Sequence, residues 1–184
     1  MPLWTLKDVS LAGRGRPRLD GVSVAIPAGR VAVLGASGSG KTSLLNLLVG
    51  YEQPDRGRIV RADHQLVGKQ PPDDQSRVTL FWSPPDSGLW PHLTVREHLA
   101  AVMPEGPPGR GDLLLRQFGL EPVSGAYPAS LSQGECSRLT VARAIAAQPR
   151  CLVLDEPLEH VDAAHRNDCW RVLREWVAEA AASL

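Results

Sequence analysis

The chain has 184 residues, with 20 Lys+Arg against 20 Asp+Glu and a formal net charge of zero, so bulk electrostatic attraction to nucleic acid or to an anionic membrane does not organise its function. Hydrophobic residues make up 43% and charged residues 22%, which suits one globular domain with a real core and excludes a disordered chain. The longest apolar runs, Val31-Ala32-Val33-Leu34 and Cys151-Leu152-Val153-Leu154, are strand-sized and far short of the ~20 residues a membrane-spanning helix needs. The opening residues lack a basic segment followed by an apolar run, so no export signal is expected and the reading is cytosolic. Cys136, Cys151 and Cys169 show no C-x-x-C spacing and are expected as small buried or half-buried residues rather than a disulfide framework or zinc site.

In chain order, residues 22–26 alternate apolar and small side chains, Pro27-Ala28-Gly29 turns the chain, and residues 30–34 suit a strand buried on both faces. A glycine-rich loop follows. From Lys41, the spacing of Leu44, Leu45, Leu47, Leu48 and Val49 predicts a helix capped by Gly50. Pro54-Asp55-Arg56-Gly57 leads into a short strand at 58–61, and residues 78–82 are β-branched and aromatic enough for another in the same sheet. Pro84, Pro85, Pro91, Pro104, Pro107 and Pro108 then crowd a stretch with expected helices near 94–102 and 112–120, which reads as a helical insertion. A longer helix is expected from Ser132 to about Gln148, a buried strand at 151–154, and an amphipathic helix from Asp162 with Cys169, Leu173, Trp176 and Ala180 on one face. Gly13-Arg14-Gly15-Arg16-Pro17-Arg18 reads as a solvated loop rather than a nucleic-acid contact, given the neutral total.

Gly35-Ala36-Ser37-Gly38-Ser39-Gly40-Lys41-Thr42 matches G-x-x-x-x-G-K-[ST] between a buried strand and a helix, the context that gives the motif meaning. Glycines let the backbone curl into a nest of N–H donors, and the helix N-terminus adds partial positive charge, so a triphosphate is the expected ligand. Lys41 would reach the β- and γ-phosphates, Thr42 would ligate Mg²⁺ and Ser43 would reach the α-phosphate. The strand 151–154 delivers Asp155 and Glu156 at its C-terminal edge, with Asp155 expected to hold Mg²⁺ and Glu156 to orient or deprotonate the attacking water. Thr94-Val95-Arg96-Glu97 and Ser132-Gln133-Gly134-Glu135 both fit a helix capping box. That reading is kept for Thr94 and set aside for Ser132 because of its surroundings.

Those surroundings are Tyr127-Pro128-Ala129-Ser130-Leu131-Ser132-Gln133-Gly134-Glu135, followed by Arg138, Ala142-Arg143-Ala144 and Pro149, and they resemble the signature segment of ATP-binding cassette (ABC) proteins. Leu19-Asp20-Gly21-Val22-Ser23, Leu89-Trp90-Pro91-His92-Leu93-Thr94-Val95 and Asp155-Glu156-Pro157 with Asp162 resemble further landmarks in family order, so the resemblance spans nearly the whole chain. It implies an α/β fold: a P-loop NTPase sheet with helices on both faces, an N-terminal antiparallel β portion and an inserted helical subdomain. One ABC ATPase domain is expected over 1–184, with 1–82 and 149–184 as nucleotide-binding core and 83–148 as helical subdomain carrying the signature. In the family two cassettes sandwich two nucleotides, which implies that Ser132 and Gly134 contact the γ-phosphate bound to a second subunit, in a homo- or heterodimer.

Four positions depart from the family pattern. Gln133 stands where a glycine is usual, Ala12-Gly13-Arg14-Gly15 offers no aromatic to stack on adenine, and Pro85 aligns near the usual loop glutamine. The chain also ends at Leu184 before the family's switch histidine, so a C-terminally shortened cassette of low stability is expected; neither His160 nor His165 takes that role. The resemblance implies the ATP-binding and hydrolysing subunit of an ABC transporter, with ATP and Mg²⁺ as cofactors, a transmembrane permease as partner and no nucleic acid. The expected location is the cytoplasm, peripheral on the inner face of the cell membrane. Two alternatives are a degenerate nucleotide-binding module with little ATPase activity, favoured by the absent glutamine and histidine, and a soluble non-transport ABC ATPase.

Overall fold

A computed structural model describes residues 2–61, 80–106 and 108–179. The chain begins with β1 (Pro2–Leu11) and β2 (Leu19–Pro27), continues through α1 (Lys41–Val49), β3 (Arg56–Arg61) and β4 (Leu80–Ser83), and then enters helices α2 (Val95–Val102) and α3 (Arg110–Gln117). Two single-turn 3-10 helices at Glu121–Val123 and Pro128–Ser130 lead to α4 (Gln133–Ala146), β5 (Cys151–Leu154) and α5 (Ala163–Glu179). No helix among the described residues is long and apolar enough to cross a membrane.

β1 is the strand that the sequence pattern hides. Trp4 and Leu6 face inward with period two, but the buried run resumes at Val9 and Leu11, one residue out of phase. A register shift between Leu6 and Val9 takes up that residue, with Asp8 in the left-handed region at φ 50°. β1 forms the centre of an antiparallel sheet ordered β2-β1-β3, while β4 and β5 make a separate parallel pair with Leu80 opposite Cys151 and Ser83 opposite Leu154. The strands at 58–61 and 78–82 therefore do not join one sheet as expected: β3 pairs antiparallel with β1, and β4 takes β5 as its partner. Residues 78 and 79 of the second expected strand lie outside the described residues.

β5 is buried on both faces and joins two cores. Cys151 and Val153 pack with Trp4, Leu6, Val9, Leu47 and Leu48, bringing the antiparallel sheet and α1 to one side. Leu152 joins the other cluster, built from α2, α3, α4 and α5 around Leu99, Leu115, Leu139, Ile145 and Leu173. Helices thus cover both faces of the parallel pair, the layered arrangement of an α/β sheet. The indole N–H of Trp4 donates to the carbonyl of Leu48 at 3.1 Å, fastening α1 beneath β1. Burial pushes the Cys151 thiol up to about 12 and that of Cys169 to about 11, so both are inert packing residues.

The strand expected at 30–34 is not formed. Leu34 is 89% exposed, and the segment runs along one wall of an apolar groove of about 490 Å³ whose other wall is β5. An apolar run becomes a strand only when a neighbouring backbone supplies its ladder, and among the described residues β5 pairs with β4 alone. On α5, Cys169, Val172, Leu173 and Val177 are buried and Trp176 is half-buried, close to the expected face; Ala180 lies outside the described residues.

Candidate active site

The glycine-rich loop is held in its curl by local sterics. Gly38 and Gly40 adopt φ of 75° and 95°, open only at a cost to other residues, and a Cβ at Gly35 would stand 2.5 Å from the hydroxyl oxygen of Ser39. Gly40 caps α1 without a side chain, and the Ser39 N–H donates to the Ala36 carbonyl at 3.1 Å. Lys41 folds back into the loop, its ammonium donating to the carbonyls of Gly35 (3.1 Å) and Ala36 (3.3 Å) and lying 3.4 Å from Glu156 Oε1.

β5 presents its two carboxylates differently. Asp155 is only 4% exposed, and its Oδ2 accepts the Thr42 hydroxyl at 2.5 Å, a bond that spans 113 positions of sequence. The Asp155 N–H donates to the carbonyl of Ser83 at the end of β4, so the register of the parallel pair sets the carboxylate's height. Glu156 turns out of the strand in the left-handed region at φ 46°, strain of about 1–3 kcal/mol for a non-glycine residue. Its side chain is 48% exposed beside Lys41. Ser83 is 1% exposed and its hydroxyl has no partner among the described residues, an orphaned polar atom at the end of the strand next to β5. A search of the sequence for charged motif residues passes over a lone serine of this kind.

A cavity of about 440 Å³ opens above the helix N-terminus, lined by Ser37, Gly38, Gly40, Lys41, Thr42, Ser43 and Glu156 from the expected set. Gly35, Ala36, Ser39 and Asp155 from the expected set do not line it; Gly35 and Ala36 accept from Lys41, and Asp155 accepts from Thr42. The cavity is also lined by Pro85 and by Gly13, Arg14, Arg16 and Arg18, so the loop read as merely solvated is a wall of the site. Its sequence signal was the density of arginine without a matching density of acid.

Ser132 and Gly134 do not line this cavity. The capping box set aside for Ser132 is formed: its hydroxyl accepts the Glu135 N–H at 3.2 Å, and Glu135 Oε2 accepts from the Ser132 N–H at 2.8 Å. Those bonds from Ser132 hold the Glu135 carboxyl below its usual range. Thr94 and Glu97 close the same box on α2, as expected. Gly134 packs under the backbone of His160, whose carbonyl would lie 3.1 Å from a Cβ there. Asp162 caps α5 by accepting from the N–H groups of Ala164 and His165, both at 3.1 Å, and its Oδ2 pairs with the His165 ring Nδ1 at 2.7 Å.

Beside the site, the chain at 84–90 is bound down by Arg143 of α4. This guanidinium is 4% exposed, donates to the carbonyls of Gly88 (2.7 Å) and Ser87 (2.9 Å), and lies 4.8 Å from the centroid of the Trp90 ring. Trp90 stacks in turn on His98, whose Nε2 accepts the Trp90 N–H at 2.9 Å while Nδ1 faces the Thr94 carbonyl at 2.8 Å. One ring nitrogen must accept and the other must donate, so His98 is neutral, and burial holds its pKa below the usual value.

A family model described as ABC transporter matches residues 19–159. Over 145 residues the chain is 38% identical to the molybdenum import ATP-binding protein ModC of Pectobacterium atrosepticum, covering 76% of this chain and 40% of that protein. It is 34% identical to the Fe(3+) ions import ATP-binding protein FbpC of Pseudomonas fluorescens, covering 90% and 48%, and 35% identical to the spermidine/putrescine import ATP-binding protein PotA of Chromobacterium violaceum, covering 91% and 47%. The chain thus spans less than half the length of these curated relatives. Among solved structures, the ATP-binding subunit of an ABC transporter superposes with a TM-score of 0.75 at 24% identity, covering 96% of this chain and 75% of that one. A dimeric ATP-binding cassette in a post-hydrolysis state with ADP and Pi superposes at 0.74 and 22% identity, covering 98% and 84%.

Proposed function

Because this chain belongs to the ABC transporter family, we propose that it binds Mg-ATP on residues 35–43 and hydrolyses it to power solute transport by a transmembrane permease, from the cytoplasmic face of the membrane. The observation that carries the reading is the buried Asp155 carboxylate bonded to the Thr42 hydroxyl at the head of α1, with Glu156 and Lys41 beside it. The matched relatives are named for import of molybdenum, of Fe(3+) ions and of spermidine/putrescine at similar identity, so the solute is set by other components than this chain.

The donor set suits the cofactors. Thr42 and Asp155 supply hard oxygens to one point, and a cation held by one carboxylate and one hydroxyl leaves positions for phosphate oxygens and water, as Mg²⁺ prefers. Bound there, Mg²⁺ would neutralise charge on the β- and γ-phosphates. Lys41 exchanges its loop carbonyls for phosphate oxygens, and the amides at the start of α1 bind the remainder. Glu156 then accepts a proton from the water whose oxygen attacks the γ-phosphorus, while the bond to the ADP oxygen breaks and ADP leaves with that electron pair. Ser132 and Gly134 serve a second cassette's nucleotide, a reading supported by neither of them lining this chain's own cavity. The groove of about 460 Å³ formed by Phe81, Trp82, Trp90 and Val102 supports a permease contact.

Single-turnover hydrolysis by wild type and Glu156→Gln tests the chemistry. We expect a loss of about 10²–10⁴-fold with nucleotide binding retained, and equal rates would remove Glu156 from the mechanism. A second reading, a nucleotide-binding module that turns over little, is favoured by Pro85 on the cavity wall, since that side chain cannot hydrogen-bond to metal or phosphate. It predicts slow hydrolysis in both proteins. Co-purification with a polytopic membrane protein tests the permease contact.

A further inference from the structure

The loop that joins β1 to β2 is fastened at its base. The Arg18 N–H donates to the Leu11 carbonyl at 2.8 Å, its Nε donates to the Ala12 carbonyl at 2.9 Å, and its two terminal nitrogens grip Glu52 at 3.1 and 2.5 Å. The Ala12 N–H donates to Asp55 Oδ2 at 2.6 Å. The Arg18 carbonyl sits against Gly40, 2.6 Å from where a Cβ would be, so the loop's base abuts the N-terminus of α1. Inside the loop, a Cβ at Gly13 would meet the Arg16 carbonyl at 2.5 Å, so this tight turn requires glycine.

These anchors bring Arg16 over the phosphate loop, its Nη2 3.5 Å from the Cβ position of Gly38, with Arg14 on the same cavity. The other cations are committed: Arg18 to Glu52, and Lys41 to Glu156 and the loop carbonyls. Arg14 and Arg16 have no ion-pair partner among the described residues. Among the described residues, Glu156 at the Lys41 end is the only carboxylate lining the cavity, and no aromatic ring, Asn or Gln lines it. A base can therefore be neither sandwiched by a ring nor read along its hydrogen-bonding edge by a side-chain amide, whereas two free guanidiniums face the place where anionic charge would collect.

We propose that Arg14 and Arg16 make this a triphosphate-reading site indifferent to the base, so that nucleoside triphosphates of any base, and inorganic tripolyphosphate, compete for it. The inference rests on the nucleotide site proposed above. In a nucleoside triphosphate the charge lies on the phosphates and none on the base, and a guanidinium stacks on any base face without distinguishing it. Binding energy then comes from forked guanidinium–phosphate bonds and the α1 N-terminus.

Calorimetric titration of the full chain in Mg²⁺ with ATP, GTP, CTP and inorganic tripolyphosphate tests this. We expect the three nucleotides to bind within about threefold of one another and tripolyphosphate within about tenfold of ATP. The Arg14→Ala/Arg16→Ala double variant, whose thermal melt without ligand should match wild type because both side chains are exposed, should weaken all four by about tenfold or more. Added salt should weaken wild type more steeply than the double variant. ATP binding more than about thirtyfold tighter than GTP and CTP, or a double variant that binds like wild type, would overturn the inference while leaving the nucleotide site intact. No binding of ATP or tripolyphosphate by wild type would overturn the nucleotide site itself.

Discussion

Two helices in this molecule begin at residues proposed to meet nucleotide phosphate, and they are held in opposite ways. α4 is buried continuously from Leu139 to Ala146 and takes its place from apolar packing against α2, α3 and α5. The head of α1 and the loop before it are mostly exposed and are positioned by polar tethers, chiefly Thr42 to Asp155 and Lys41 to the loop carbonyls. Apolar burial holds a helix with or without ligand. Polar tethers of this kind are what a bound polyphosphate would replace, so the ligand-responsive part of the molecule should be the phosphate loop and the indifferent part α4.

The largest test of that contrast is Leu139→Ala, which leaves a cavity in the α4 core and should destabilise by about 2–5 kcal/mol. Thermal melting should fall by roughly 10 °C, with or without Mg-ATP. A smaller effect is expected for Thr42→Val, which deprives the buried Asp155 of a charge-assisted bond of about 1–3 kcal/mol. By hydrogen exchange, the amides of 35–43 should lose protection and α4 should keep its own; equal loss in both would merge the two regions into one cooperative unit.

A pH titration probes the packed side. His98 has a folded-state pKa below its ordinary value of 6.5, chiefly from burial, with Arg143 and His92 adding to the shift and the Thr94 carbonyl and Glu97 opposing it. The unfolded chain therefore binds the proton more readily. The stability contributed by neutral His98 is complete above about pH 6.5 and is lost as the pH falls from there toward the folded value. Melting temperature should decline over that window in wild type, and His98→Gln should flatten the decline; an unchanged profile would show that the ring titrates freely. The smallest effect is expected for Leu34→Ser, within about 0.5 kcal/mol, because the side chain already faces solvent. A loss above about 2 kcal/mol, read by urea melting, would show the segment 30–34 docked as a strand.

The candidate site is legible in the sequence because the residues proposed for its chemistry lie in short, contiguous runs. Gly35 to Ser43 and Asp155-Glu156 needed only to be brought together, and the Thr42–Asp155 bond does so. Ser83 and Arg16 escaped that reading because each matters only through what folds next to it. β1 was hidden by one extra residue at its bulge, which breaks the alternation that marks a strand. The capping box at Ser132 is legible in its Ser-x-x-Glu spacing, and its bonds are formed.

From the sequence alone came the helices with their caps, the buried strand that carries the acidic pair, and the kind of ligand proposed for the glycine loop. These depend on periodicity, backbone freedom and hydrogen-bonding groups within a few residues of one another. Tertiary structure decided which strands pair, why 30–34 stays without a ladder, and which arginines overlook the phosphate loop. A ladder needs a second backbone and a cavity needs several walls, and in this chain those walls come from segments more than a hundred residues apart.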